Sequence, residues 1–216
     1  MTRGHLFAVE GDASLHYQSQ QNTTKMKNRA YLSHLMIFAL ITAAMPLMSQ
    51  KYSVKNNLNF TLNGTSTLHD WEMTASNGTC TIDFITNATG DITGINSVAF
   101  NMPAKSLKSG KAPMDKNAYT ALKADKYANI TAKLKTGSVQ SDGAGICTVK
   151  TTIALTMAGV TKDLPINVKI KKKGANAFEV TGERKITMTD FSMEPPTFMM
   201  GAVKTGNDVT VKFSLG

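Results

Sequence analysis

Residue types that carry catalysis and metal binding are scarce in this 216-residue chain. Of its 4 histidines, His5, His16 and His34 sit near the N-terminus, which leaves His69 alone in the remainder. One imidazole cannot build a multi-histidine metal site, and no Cys-x-x-Cys pair or carboxylate-rich loop compensates. His69 beside Asp70 is a poor catalytic pair, because successive side chains of a strand point to opposite faces. The acidic residues Asp83, Asp91, Asp125, Asp163, Glu179, Glu183 and Asp190 are dispersed over turns and polar faces. No paired acid and base, activated nucleophile or phosphate-cradling glycine loop is legible. The sequence favours a binder over an enzyme and calls for no metal or cofactor.

Cysteine is limited to Cys80 and Cys147. Each lies on the apolar parity of its segment, beside Ile82 and Phe84 in one case and Val149 and Ile153 in the other, so both are expected to point inward. A disulfide between them and two buried free thiols are equally open, since bridge geometry cannot be read from spacing. Negative charge is also in short supply: from Lys51 onward 20 Lys and Arg face 13 Asp and Glu, a net of +7. Most of the lysines are scattered. The cluster Lys169, Lys171, Lys172 and Lys173 runs into Gly174-Ala175-Asn176, which reads as a solvated hairpin tip. No aromatics interleave with it, so nucleic acid is not an expected partner.

A long apolar run occurs once. Met26-Lys27-Asn28-Arg29 is followed by Leu35 to Met48 and then Ser49-Gln50-Lys51. That order of basic, apolar and small polar residues is the pattern of a cleaved secretory signal over 26–49, and the run is short for a membrane span. Residues 1–25 are polar and aperiodic, an upstream extension that makes Met26 the natural start. The expected folded domain is then 50–216, exported to the periplasm or beyond, where a disulfide is chemically permitted.

What the chain does have is alternation. In Ile146 to Ile170, Cys147, Val149, Ile153, Leu155 and Met157 share one parity, and Leu164, Ile166, Val168 and Ile170 share one after the turn at Ala158 to Lys162. Lys150, Thr152, Thr156, Asn167 and Lys169 take the opposite face. A period of two of this kind is a β-hairpin with one apolar and one polar side. The pattern recurs at Leu58/Phe60/Leu62, Trp71/Met73, Cys80/Ile82/Phe84, Val98/Phe100/Met102, Ile130/Ala132/Leu134, Phe178/Val180 and Val209 to Leu215, with turn residues between. The fold expected is all-β: an antiparallel up-and-down barrel of about eight strands, since rolling up buries the apolar face and removes the edges. Pro113 to Asp125 reads as one short helix, either a lid beside a barrel mouth or a crossover packed outside.

The inward side chains expected to line the barrel are Phe60, Leu62, Trp71, Met73, Ile82, Phe84, Phe100, Met102, Ile153, Leu155, Met157, Phe178 and Phe191. An eight-stranded barrel is either filled by such residues or holds one elongated ligand, and methionines adapt to irregular shapes. Burying an alkyl chain contributes about 0.8 kcal/mol per methylene, so a lipid tail needs no polar motif to bind.

Several segments together are similar to the YceI-like family of exported lipid-binding proteins. Ala154-Leu155-Thr156-Met157-Ala158-Gly159-Val160-Thr161-Lys162 resembles that family's hairpin LT-x-x-G-V-T-K. VAFNMPAKSLKSG from Val98 to Gly110, Lys126-Tyr127-Ala128-Asn129-Ile130, Met188-Thr189-Asp190-Phe191, Glu194-Pro195-Pro196-Thr197 and Gly206 to Thr210 add to it. The departures are Ala128, where the family usually has proline, Met188, where many members have arginine, and a shortened helical connection. The resemblance implies a lipocalin-like barrel holding a polyisoprenoid or related amphiphile, such as an isoprenoid quinone, with membrane-surface contact and pairing of two barrels as further expectations. The competing reading is a solid-cored exported barrel acting through its surface in the envelope or under stress.

Overall fold

A computed structural model describes residues 48–55, 58–142, 145–174 and 177–216. The expected upstream extension and most of the expected signal segment fall outside them; Met48 and Ser49 belong to the first strand. The strands are β1 (Met48–Lys55), β2 (Leu58–Ser66), β3 (Trp71–Ala75), β4 (Thr79–Thr86), β5 (Ile92–Pro103), β6 (Asn129–Ser141), β7 (Ile146–Met157), β8 (Val160–Lys172), β9 (Phe178–Thr187), β10 (Thr197–Phe198) and β11 (Val203–Leu215). Helix α1 (Ala112–Ala121) interrupts them between β5 and β6.

The expected all-β antiparallel architecture is found, with eleven strands among the described residues in place of about eight. The strands not read from alternation are β1, which begins in the expected signal segment, and the two-residue β10. The ladder runs β1-β4-β5-β6-β7-β8-β9-β11-β2-β3, so β4 to β9 form an up-and-down meander. Its ends are joined through the chain. Lys55 pairs with Thr79 at one end, Leu58 pairs with Leu215 at the other, and three residue steps span at most about 11 Å. The sheet therefore curls, with β1 and β3 as its free edges.

The turn between β7 and β8 is tighter than the five residues read from the sequence. Met157 pairs with Val160, leaving Ala158 (φ 51°) and Gly159 (φ 82°) as a two-residue turn in left-handed conformation. That geometry matches the twist of the strands it joins. Gly159 also sits against the Tyr127 ring, where a Cβ would come within 2.3 Å of Cζ.

Bulges adjust the alternation. In β6 the register slips between Leu134 and Thr136, so the inward parity moves from Ala132 and Leu134 to Gly137 and Val139. In β5 a slip beside Asn96 turns Ile95 as well as Val98 inward. Both bends let long strands follow a curved wall.

The interior splits by height. One cluster, around Leu58, Cys80, Ile82, Phe84, Val149, Phe178, Val180 and Leu215, gathers at one end, where Phe84 is fully buried with Tyr52 against it. The second, around Met73, Met102, Leu107, Leu122, Met157, Met188, Phe191 and Met193, surrounds the other end. Cys80 and Cys147 both lie in the packed end and are free thiols.

Helix α1 begins and ends earlier than the expected 113–125. Pro113 falls in its first turn, as suits a residue without an N–H, and Lys123 in left-handed conformation (φ 50°) stops it. Asp115 accepts from the Ser109 N–H and Oγ, both at 2.7 Å, and the single proton of the Tyr119 hydroxyl is directed at the carbonyls of Leu107, at 2.8 Å, and Lys105, at 3.0 Å, as a shared bond. These bonds pin the helix to the segment after β5. The lysine cluster on β8 is exposed as expected, and Lys173 pairs with Glu179 at 2.9 Å.

Candidate functional site

Because the apolar clusters pack one end and only surround the other, the barrel encloses space. The upper cavity, at the α1 end, has a volume of about 430 Å³. Phe60, Leu62, Trp71, Met73, Phe100, Met102, Leu155 and Met157 from the inward strand faces line it, joined by Ile130, Ile186, Met188, Val209 and Val211. A lower cavity of about 150 Å³ adjoins it and is lined by Ile82, Ile153, Ile95, Val98, Leu164, Ile166 and Arg184 among others. Phe60, Phe100, Leu155, Ile186 and Val211 border both, forming a waist. At that waist the Phe60 and Phe100 rings lie 5.1 Å apart.

The structure brings most of the expected lining residues to these two spaces and places three elsewhere. The Phe84 and Phe178 rings pack at a tilt of 53° with centroids 5.2 Å apart within the packed end, and Phe191 is wholly buried in the 3₁₀ turn Met188–Phe191. Alternation tells which face a residue takes. It does not tell how far along the barrel axis that face is filled, and these three phenylalanines are part of the filling.

Other lining residues were not legible from strand parity. Helix α1 contributes Met114, Asn117, Ala118 and Ala121, followed by Leu122, so it closes one side of the upper cavity, the lid alternative of the sequence reading. The spacing 114, 118, 121, 122 was the available signal for that face. The mouth is completed by Leu68 and His69 between β2 and β3, by Lys111, and by Pro196, Phe198 and Met199 before β11. Irregular segments such as these carry no periodicity to read.

Rim geometry is set locally. Ser66 Oγ accepts from the Leu68 and His69 N–H groups, each at 3.2 Å, and donates to the His69 carbonyl at 2.7 Å, shaping the β2–β3 turn. Trp71 lies over Gly64, its register partner, where a Cβ would come within 2.1 Å of the indole; its Nε1 donates to the Thr65 carbonyl at 3.0 Å. His69 Nδ1 is hydrogen-bonded to the Asp70 carbonyl at 2.7 Å, so its neighbour's carboxylate does not orient it. Around the opening, Leu68 and Met199 are 69 % and 77 % exposed and Met200 is fully exposed.

Chemically, the cavity offers contact area and little else. Among the described residues no group of three or more His, Cys, Asp or Glu side chains is placed to hold a metal ion. In the packed end, burial pushes the Cys80 thiol up to about 11, so it is protonated and unreactive at neutral pH.

Solved structures that share this fold include the following three. BcnA of Burkholderia cenocepacia superposes with a TM-score of 0.59 at 15% identity, covering 75% of this chain and 98% of its own. A polyisoprenoid binding domain from Saccharophagus degradans, implicated in plant cell wall breakdown, gives 0.54 at 12% identity over 79% of this chain and 97% of its own. A Campylobacter jejuni YceI protein gives 0.51 at 19% identity over 66% and 81%. No curated protein matches the chain in sequence. The YceI-like domain model matches residues 52–216, which takes in every strand from β2 to β11, the helix and both cavities, and the chain belongs to the YceI-like family.

Proposed function

We propose that this protein binds an isoprenoid or related amphiphilic lipid inside its barrel and carries or sequesters it in the periplasm. The observation that carries the reading is the upper cavity: about 430 Å³, within the range of small-molecule sites, apolar on almost every side and open at one end. With about 0.8 kcal/mol per buried methylene, a prenyl tail of modest length gains enough from such a lining to bind without a polar anchor. The family, and the polyisoprenoid binding named for the Saccharophagus relative, support the same ligand class. The basic start at Met26 and the apolar run up to Leu47 support export, while Met48 and Ser49 belong to β1 of the folded domain.

The exposed Leu68, Met199 and Met200 give the mouth an apolar rim that suits contact with a membrane surface from which the lipid is taken. Native mass spectrometry of protein isolated from its own host, followed by organic extraction, tests the proposal. A prenyl-lipid adduct is expected. Protein recovered empty, with no affinity for prenyl lipids on titration, overturns it.

A further inference from the structure

From Lys51 onward the basic residues are lysines with a single exception, Arg184, and the fold turns that exception inward. Arg184 lies on β9 between Gly182 and Ile186, opposite Val211, on the parity that buries Val180 and Ile186, and it lines the lower cavity. Its Nε is buried and has no hydrogen-bond partner. Among the described residues no carboxylate forms an ion pair with it.

The rest of the lower cavity supplies nothing to balance the charge. Its other lining residues are uncharged, and the buried Thr151 hydroxyl donates to the Ile166 carbonyl at 3.0 Å. Cys80, also on the lining, is held neutral by burial. Arg184 is half-buried, and its Nε is enclosed without a hydrogen-bond partner or counter-ion, which is unfavourable for the empty barrel. The β8–β9 ladder ends at Val168 and Gly182, so the strands part beside this residue and leave room around it.

We propose that Arg184 anchors the head group of the bound lipid, and that this head group is a monoanionic carboxylate lying in the lower cavity with its tail passing the Phe60–Phe100 waist into the upper one. One fixed cation neutralises one negative charge; a phosphate dianion or diphosphate would leave excess charge buried. The guanidinium fork matches a planar carboxylate with two parallel bonds. This assignment rests on the lipid-binding reading and adds orientation and head-group class to it.

The test titrates the protein with geranylgeranoic acid and geranylgeraniol, which share one tail, at neutral pH. Trp71, the chain's only tryptophan, lines the upper cavity and reports binding by fluorescence. Wild type is expected to prefer the acid by about tenfold or more, the scale of a charge-assisted hydrogen bond. Arg184→Leu is expected to lose the preference and bind acid and alcohol alike, and Arg184→Lys to fall between. Acetate alone is expected not to saturate the site; saturation by acetate at comparable concentrations would overturn the lipid head group as its source. Equal affinity of wild type for acid and alcohol, or a preference that survives Arg184→Leu, overturns the anchor while leaving lipid binding intact. Failure of wild type to bind either compound overturns the lipid reading itself.

Discussion

The Tyr52 hydroxyl donates to the Phe178 carbonyl at 2.8 Å, and the two rings meet edge to face with centroids 5.6 Å apart. Tyr52 belongs to β1, which pairs with β4, whereas Phe178 opens β9. The contact therefore crosses the packed end of the barrel and ties two strands that share no ladder. Tyr52→Phe is expected to lower stability by about 1 kcal/mol, the net worth of one such hydrogen bond, with ring packing kept. Tyr52→Ala should cost about 3 kcal/mol because the ring is lost too. Urea denaturation measures both; equal effects would mean that the hydroxyl carries the whole interaction.

The turn at Gly159 makes a second demand. Its φ of 82° is strained for any residue with a side chain, and a Cβ would collide with the Tyr127 ring. Gly159→Ala is expected to destabilise the protein by about 1–3 kcal/mol in thermal or urea unfolding. An unchanged midpoint would show that the β7–β8 turn relaxes into another form.

Face assignment can be tested through binding. Leu155 borders both cavities, while Lys150 is exposed on the outer face of the same strand. Leu155→Asp should abolish binding of a prenyl alcohol, since an unpaired carboxylate would have to be buried, and Leu155→Trp should weaken it by filling the waist. Lys150→Ala should leave affinity within about twofold, as surface changes away from a site do. Titration followed by Trp71 fluorescence distinguishes the two faces.

Asp83 is the buried carboxylate beneath β1, accepting hydrogen bonds from Ser49 Oγ and from Asn96 Nδ2 at 2.8 Å. The Ser49 bond first and the Asn96 bond second hold its carboxyl below the usual range. A group depressed in the folded state favours folding above its unfolded value near 3.9, and that contribution fades as pH falls through the lower folded value. Asp83→Asn is therefore expected to flatten the loss of stability between about pH 5 and pH 2, read from midpoints across that range. Identical acid limbs for wild type and variant would remove Asp83 from the account.

The two cysteines predict a chemical result. As buried free thiols, with Cys80 raised to about 11, both should react slowly with iodoacetamide in the folded protein and rapidly in urea. Fast labelling in the native state would place either thiol at the surface.

Much of this molecule was readable along the chain. The polar and apolar parities of β7 and β8 identified their faces residue by residue, because a strand's side chains alternate whatever surrounds them. The same rule held the inward position of Arg184, two residues from Ile186, although a charged residue on an apolar face does not announce itself in a search for oily lining. Bulges at Asn96 and Lys135 were not legible, since a one-residue slip in pairing leaves no mark on composition.

Local sequence by itself determined most of the strands, their faces up to the bulges, the β7–β8 hairpin and the short helix, all of which follow from dihedral preference and periodicity within a few residues. Only the tertiary structure decided that Phe84, Phe178 and Phe191 fill the barrel while Phe60 and Phe100 border open space. It also decided that α1 closes a cavity and that the two cysteines stay unbonded. Those outcomes depend on how far along the axis residues distant in sequence meet, and the volume left between them is a sum over many side chains that no single segment encodes.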